Sequence, residues 1–332
     1  MKKIIIALVL GLLLVAGLSA AEVKTVIKFA SVAPEGSTWM NTMEDFNTEL
    51  KEKTSGAVEF RFYSGGVSGD ETDVLKKMKI NQLQAAGFTS QGMGEVVKEV
   101  RMLNLPMIFK NYKDIDYVME KMSPFFDKEF EKKGLVILGW PEVGFAYVFS
   151  KKKIESLKDF QSIKMWIWGN DALVGTMFKN LAITPIPLSL VDVMQSLQTG
   201  LIEGVYGSPL SAIALQWNTK VKYMLDMKIA NVPGGILINK KAFDKLTPEQ
   251  QKLIKTLSKK YFTKLTQLSR KENDDALAVI QKQGMVFTTI STAEDKKFFE
   301  DVSVKTAKDL VGKFYTQAQL DEMLGYLKSA KK

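Results

Sequence analysis

The chain has 332 residues, with 46 Lys and Arg against 37 Asp and Glu, a formal charge of +9, and neither histidine nor cysteine. With 46% apolar and 25% charged residues it has the composition of a globular protein, and its length suits about two domains. The two missing residue types exclude imidazole bases, His or Cys metal sites, disulfides and thiolate nucleophiles, so any acid–base chemistry would fall to carboxylates, Lys or Tyr.

Lys2 and Lys3 precede an apolar run, Ile4 to Leu18, and the small residues Ser19, Ala20 and Ala21 follow. This order predicts a secretory signal peptide over 1–21, cleaved near Ala21, and hence an exported protein. The apolar run is short of the roughly 20 residues a membrane anchor needs. Nothing later reads as membrane-spanning. The short basic run Lys151–Lys153 reads as a solvated turn, and no aromatic–basic interleaving marks a nucleic-acid surface.

Residues 23–31 read as a strand, followed by a Pro-Gly turn and Ser37 as a helix N-cap. Trp39, Met43, Phe46 and Leu50 then fall on one helical face. A strand over 57–63, the loop Ser64–Gly69, a helix over 70–80 and a strand over 83–88 come next. Thr89–Gln91 lie just beyond that strand. A helix over 114–132 and strands over 135–140 and 145–150 complete the first half. This alternation predicts βαβ units and a mainly parallel sheet.

The second half begins with a strand over 163–168, a helix over 171–180, a proline-broken connection, a helix over 190–199 and a strand over 202–206. The two halves end alike, in Phe88-Thr89-Ser90 and in Tyr206-Gly207-Ser208. Ligands of open α/β sheets sit beyond the carboxyl ends of strands, so two facing domains would put both polar ends on one cleft. Pro233-Gly234-Gly235 reads as a turn before a strand over 236–239. Thr247-Pro248-Glu249-Gln250 is a strong helix start, and the helix it opens, to about Gln283, is too long for one small domain. A strand over 285–289 and two amphipathic helices, starting near Thr292 and Thr316, close the chain.

Four segments together resemble one family. They are Phe29–Ser37, Tyr63–Leu75 with its Gly-rich loop, Pro187–Pro209 (PLSLVDVMQSLQTGLIEGVYGSP) and Leu246–Glu249. In this order, over essentially the whole mature chain, they resemble the substrate-binding subunits of TRAP (tripartite ATP-independent periplasmic) transporters. The resemblance implies two α/β domains joined by hinge strands and a long domain-spanning helix. Domain I would be 22–143 with 232–250 and domain II 144–231. The spanning helix and the C-terminal helices, 251–332, would pack on both. It also implies a monomeric periplasmic protein that captures a small molecule and hands it to membrane permease subunits, with no catalysis and no cofactor. A ligand-sensing partner of a membrane receptor is a second reading of the same fold, and a carboxylate-dependent periplasmic enzyme a third. The candidate acid pairs, Asp70/Glu71 and Asp274/Asp275, sit on what read as solvated helix faces.

The chain departs from the family pattern where ligands are clamped. The family's G-x-K-x-R, whose arginine holds a carboxylate, is matched by Ser162-Ile163-Lys164-Met165-Trp166. A second arginine often follows a Gly-Phe pair; here Gly144-Phe145 is followed by Ala146. One extra residue lies between Glu203 and Pro209, and Ser208 stands where an asparagine is common. No neutral side chain reproduces a bidentate guanidinium. The cleft is therefore expected to be rich in aromatic surface, for an aromatic or apolar ligand or one without a clamped dicarboxylate. The expected ligand contacts are Trp166, Trp168, Phe145, Tyr206, Ser208, Ser90, Trp39 and Glu142. Four have a plainer alternative: Trp166 as core, Trp168 as core or rim, Trp39 as a helix anchor, Glu142 as a solvated loop charge. The loop Ser64–Gly69 lacks a P-loop lysine, and the acids after it complement the helix dipole, so it reads as a turn bordering the cleft.

Overall fold

The computed structural model describes residues 24–330; the expected signal segment and its cleavage point lie outside them. Its strands are β1 (Thr25–Ala30), β2 (Val58–Tyr63), β3 (Ala85–Thr89), β4 (Leu135–Gly139), β5 (Glu142–Ser150), β6 (Trp166–Trp168), β7 (Ile186–Leu188), β8 (Gly204–Gly207), β9 (Tyr223–Asn239) and β10 (Val286–Thr288). The helices are α1 (Thr38–Lys53), α2 (Glu71–Lys79), α3 (Ser90–Gly94), α4 (Tyr112–Lys132), α5 (Leu157–Gln161), α6 (Ala172–Asn180), α7 (Val193–Thr199), α8 (Pro209–Ala214), α9 (Lys240–Phe243), α10 (Pro248–Lys282), α11 (Ala293–Asp309) and α12 (Gln317–Ala330). A 3-10 helix, Lys98–Asn104, follows α3.

The molecule is a mixed α/β protein of two lobes. In lobe I, β1 pairs in parallel with β2 and with β3. Helix α1 lays Met40, Met43, Phe46 and Leu50 on this sheet, and the Phe46 and Phe60 rings meet edge to face at 5.4 Å. Each such fully buried side chain stabilises the fold by roughly 1.5–3 kcal/mol. The sheet does not stay parallel. β9 runs antiparallel to β3, β4 and β5, and β5 runs antiparallel to β8.

The strand expected over 236–239 is thus the end of a 17-residue strand. Pro233-Gly234-Gly235 makes no turn. Pro233 sits opposite Glu142 at a break in register, where its missing N–H leaves no gap in the ladder. The two glycines give room to other side chains. A Cβ on Gly234 would lie 2.5 Å from the Trp39 ring, and one on Gly235 2.3 Å from the Met93 sulfur. β9 joins lobe I at its Gly234–Asn239 end and pairs with β5 along 223–233. These two strands carry the chain between the lobes.

In lobe II, the strand expected from Ile163 forms only at Trp166–Trp168, paired in parallel with β7. The helix expected from Leu190 opens with a 3-10 turn and becomes α-helical at Val193. Thr247 caps α10 as its sequence predicts: its hydroxyl accepts from Gln250 N, and the Gln250 side chain reaches back to Thr247 N. The 35-residue α10 packs against α1 of lobe I and α8 of lobe II. Helix α11 packs on α6 and α12 on α4. Asn273 of α10 ties the crossing together: its Nδ2 donates to Val143 O (2.8 Å) and its Oδ1 accepts from Leu210 N (3.0 Å). Among the described residues no helix is long and apolar enough to cross a membrane.

Candidate ligand-binding site

A cavity of about 470 Å³ lies between the lobes. Lobe I contributes the loop after β1, the start of α1 and the end of β3. Lobe II contributes β6, the end of β8 and α8. As expected from strand alternation, Trp166 and Trp168 share one face of β6. Trp166 stacks on Tyr206 at 4.9 Å and 21°, lies 6.0 Å from Trp168 at 30°, and meets Trp217 at 5.5 Å edge to face. Both indole N–H groups are used inside the protein: Trp166 Nε1 donates to Leu188 O (3.1 Å) and Trp168 Nε1 to Asp70 Oδ2 (2.7 Å). These two rings therefore offer the cavity no donor; Trp168 keeps some exposed π surface, while Trp166, 1% exposed, backs Tyr206 from behind. Burial pushes the Tyr206 phenol well above its usual range, so it stays neutral, and its oxygen accepts from Trp168 N (3.2 Å).

The polar side is built at helix starts. Ser208 caps α8, its Oγ accepting from Ser211 N (3.1 Å). Ser90 begins α3, which Thr89 caps. Glu71, fully enclosed at the start of α2, accepts from Thr89 N (2.6 Å), Thr89 Oγ1 (2.9 Å) and Gly92 N (2.8 Å). Those donors favour the carboxylate, but burial outweighs them and pushes the carboxyl up to about 8. Arg101, on the 3-10 helix, directs Nη2 at both oxygens of Asp171 (3.0 and 2.8 Å), and both side chains are buried. Arg101 Nε, Gln91 Oε1 and Asn104 Oδ1, all on cavity-lining residues, are buried without a hydrogen-bond partner.

Trp166, Trp168, Tyr206, Ser208, Ser90 and Trp39 all line this cavity, and so does Ala146, at the expected arginine position. Phe145 does not. It precedes Ala146 on β5 and so faces the other side of the strand, where Tyr112 lies 5.0 Å away and Lys228 Nζ sits 4.5 Å above its ring. Glu142 is neither a ligand contact nor a solvated charge. It is buried and ion-paired with Arg270 of α10, which also binds Asp116. Trp140 is likewise away from the cleft, packed on Phe126 and Phe130 with its N–H on Asp127.

Arg101, Asp171, Asn104 and Trp217 line the cavity although no motif announced them, and Glu71, expected on a solvated helix face, is instead buried at its wall, because its carboxyl turns in to the N–H groups of Thr89 and Gly92. One signal was available: Arg101 stands inside an apolar run, Val100 to Leu105, where a charge needs a buried partner. Its partner is 70 residues away and nothing in the spacing points to it.

The family model for bacterial extracellular solute-binding protein, family 7, matches residues 29–310. The chain belongs to this family. Among curated relatives, a solute-binding protein of Chromohalobacter salexigens is 28% identical over 200 residues, spanning 60% of this chain and 59% of the relative. The C4-dicarboxylate-binding periplasmic protein of Rhodobacter capsulatus is 22% identical across 83% of this chain and 84% of its own. Two solved structures share the fold. The TRAP periplasmic solute-binding protein of Sulfitobacter sp. NAS-14.1, with bound β-D-galacturonate, superposes with a TM-score of 0.83 at 23% identity, over 92% of this chain and 100% of the other. The sugar acid binding protein of Advenella mimigardefordensis, in complex with galactonate, gives 0.86 at 19% identity, over 93% and 99%. The chain is therefore a bacterial extracellular solute-binding protein of family 7 with the fold of the TRAP periplasmic solute-binding proteins.

Proposed function

We propose that this protein receives a small molecule with a flat apolar body, not a clamped dicarboxylate, and presents it to TRAP permease subunits in the membrane. The wall formed by Tyr206 and Trp168 and backed by Trp166, with both indole donors already used, carries this reading. Such a wall rewards stacking and apolar burial. The galacturonate and galactonate of the Sulfitobacter and Advenella proteins are acids. A carboxylate entering this cleft would meet Arg101 already engaged by Asp171, and Ala146 and Trp166 at the two expected clamp positions. A second reading, a monocarboxylate that reaches Arg101, is favoured by the unpartnered Arg101 Nε.

A titration followed by tryptophan fluorescence separates the two. It uses galacturonate, succinate, indole-3-acetate and neutral indole. Indole and indole-3-acetate should bind, and Trp166→Ala should weaken both by at least about tenfold, equivalent to ~1.4 kcal/mol. Tight galacturonate or succinate binding, undiminished in Trp166→Ala, would sink the proposal. Binding of indole-3-acetate without indole would select the Arg101 reading. In the same frame we place the lobes at 22–143 with 232–250 and at 144–231, cleavage near Ala21, and a monomer in the periplasm.

A further inference from the structure

Asp70 has two roles that point in different directions. Its Oδ1 caps α2 of lobe I, accepting from Glu71 N at 2.8 Å. Its Oδ2 accepts two donors from lobe II: the indole N–H of Trp168 at 2.7 Å and the backbone N–H of Leu190 at 3.2 Å. The cap accounts for one oxygen only. The other is used across the cleft, 98 and 120 residues away in sequence. Beside it, Gln91 Nε2 of lobe I donates to Trp168 O at 3.1 Å. The rims approach closely beside it: a Cβ on Gly66 would lie 2.9 Å from Val191 Cγ1.

We infer that Asp70 is a positioning residue for ligand recognition, a latch that forms when the lobes close and sets Trp168 against the ligand. Three consequences connect it to the site. A hydrogen bond to an ionised carboxylate is among the stronger ones, and this pair gains it only when the lobes meet. The bond fixes the Trp168 ring, which lines the cavity next to Trp166. It also removes the Trp168 N–H from the ligand, so the latch makes that part of the wall purely π in character. Leu190 N–H opens a 3-10 turn and would otherwise have no partner within it. The latch rests on the reading of the cavity as a solute site but not on the class of solute.

The test exploits the absence of cysteine from the chain. Val67 and Val191 are exposed on opposite rims, next to the Gly66–Val191 contact. In a V67C/V191C background, the rate of cross-linking by a short bis-thiosulfonate reports how often the lobes meet, with no ligand added. Asp70→Ala should slow cross-linking by about tenfold, the loss of charge-assisted bonds. Trp168→Phe keeps an aromatic ring and the α2 cap but removes the donor, and should slow it too. In the double variant the two effects should be less than additive, because they share one bond. Wild-type cross-linking in Trp168→Phe, or fully additive effects, would overturn the latch. If Asp70→Ala does not fold, as followed by circular dichroism, Trp168→Phe decides alone. Failure here would leave the fluorescence titration standing, and failure of that titration would leave the cross-linking result standing.

Discussion

Glu71 and the Arg101–Asp171 pair place three ionisable groups around one enclosed space. Glu71 has only neutral donors around its oxygens, so burial raises its pKa to about 8 from an ordinary 4.5. The folded protein therefore holds a proton there that the unfolded chain releases above about pH 4.5. The stabilising contribution of that proton is complete below pH 4.5 and is lost as pH rises towards 8. The melting temperature should fall between pH 5 and 8, and fall less in Glu71→Gln, which cannot ionise; equal slopes by differential scanning calorimetry would refute this assignment. Arg101 instead has a partner. Arg101→Ala strands Asp171 in the interior and should cost ~3–5 kcal/mol in chemical denaturation, whereas replacing both by Met and Leu should cost much less. At this scale the shared face of Trp166 and Trp168 could be read from the sequence, because alternation along a strand is local. The ion pair could not, because a contact spanning 70 residues leaves no periodic trace.

Among the elements, α10 and β9 show why one could be anticipated and the other could not. A capping box lies within four consecutive residues, so Thr247-Pro248-Glu249-Gln250 declares a helix start wherever it occurs. Pro233-Gly234-Gly235 has the local chemistry of a turn, and only Trp39 and Met93, packed over the glycines, make it a strand. The predicted parallel sheet failed for the same reason: β9 returns antiparallel into lobe I, a matter of tertiary pairing. Gly144, at the crossing between lobes, has φ +107 and would place a Cβ 2.5 Å from Asn273 Nδ2. Gly144→Ala should therefore cost ~1–3 kcal/mol and loosen the Asn273–Val143 bond. Urea denaturation of the variant checks the first. Faster hydrogen exchange at the start of β5 checks the second, and a variant as stable and as protected as the parent would remove the glycine argument.

Across the whole molecule, contacts that brace the lobes are separate from contacts that join them across the cleft. Arg270 of α10 binds Glu142 and Asp116, away from the cavity, and Asn273, also outside it, holds the backbone of Val143 and Leu210 at its edge. They hold the rear of the molecule. The contacts that cross the front, Asp70 to Trp168, Gln91 to Trp168 and Arg101 to Asp171, all surround the ligand space. A protein braced behind and joined in front by polar contacts can open there without disturbing its apolar cores, since hinge motion leaves packed clusters intact. Opening would return the front polar groups to water, where they lose little, while a ligand held against both lobes would make closure favourable. Small-angle scattering should therefore show a smaller radius of gyration for protein saturated with the aromatic ligand found by titration than for dialysed protein. The saturated form should approach the roughly 19–20 Å of a compact chain of this length. Arg101→Ala should lie at the open end of that range without ligand, because closing it would bury Asp171 without its partner. Identical scattering curves for the dialysed, saturated and Arg101→Ala proteins would mean that the front contacts do not govern closure.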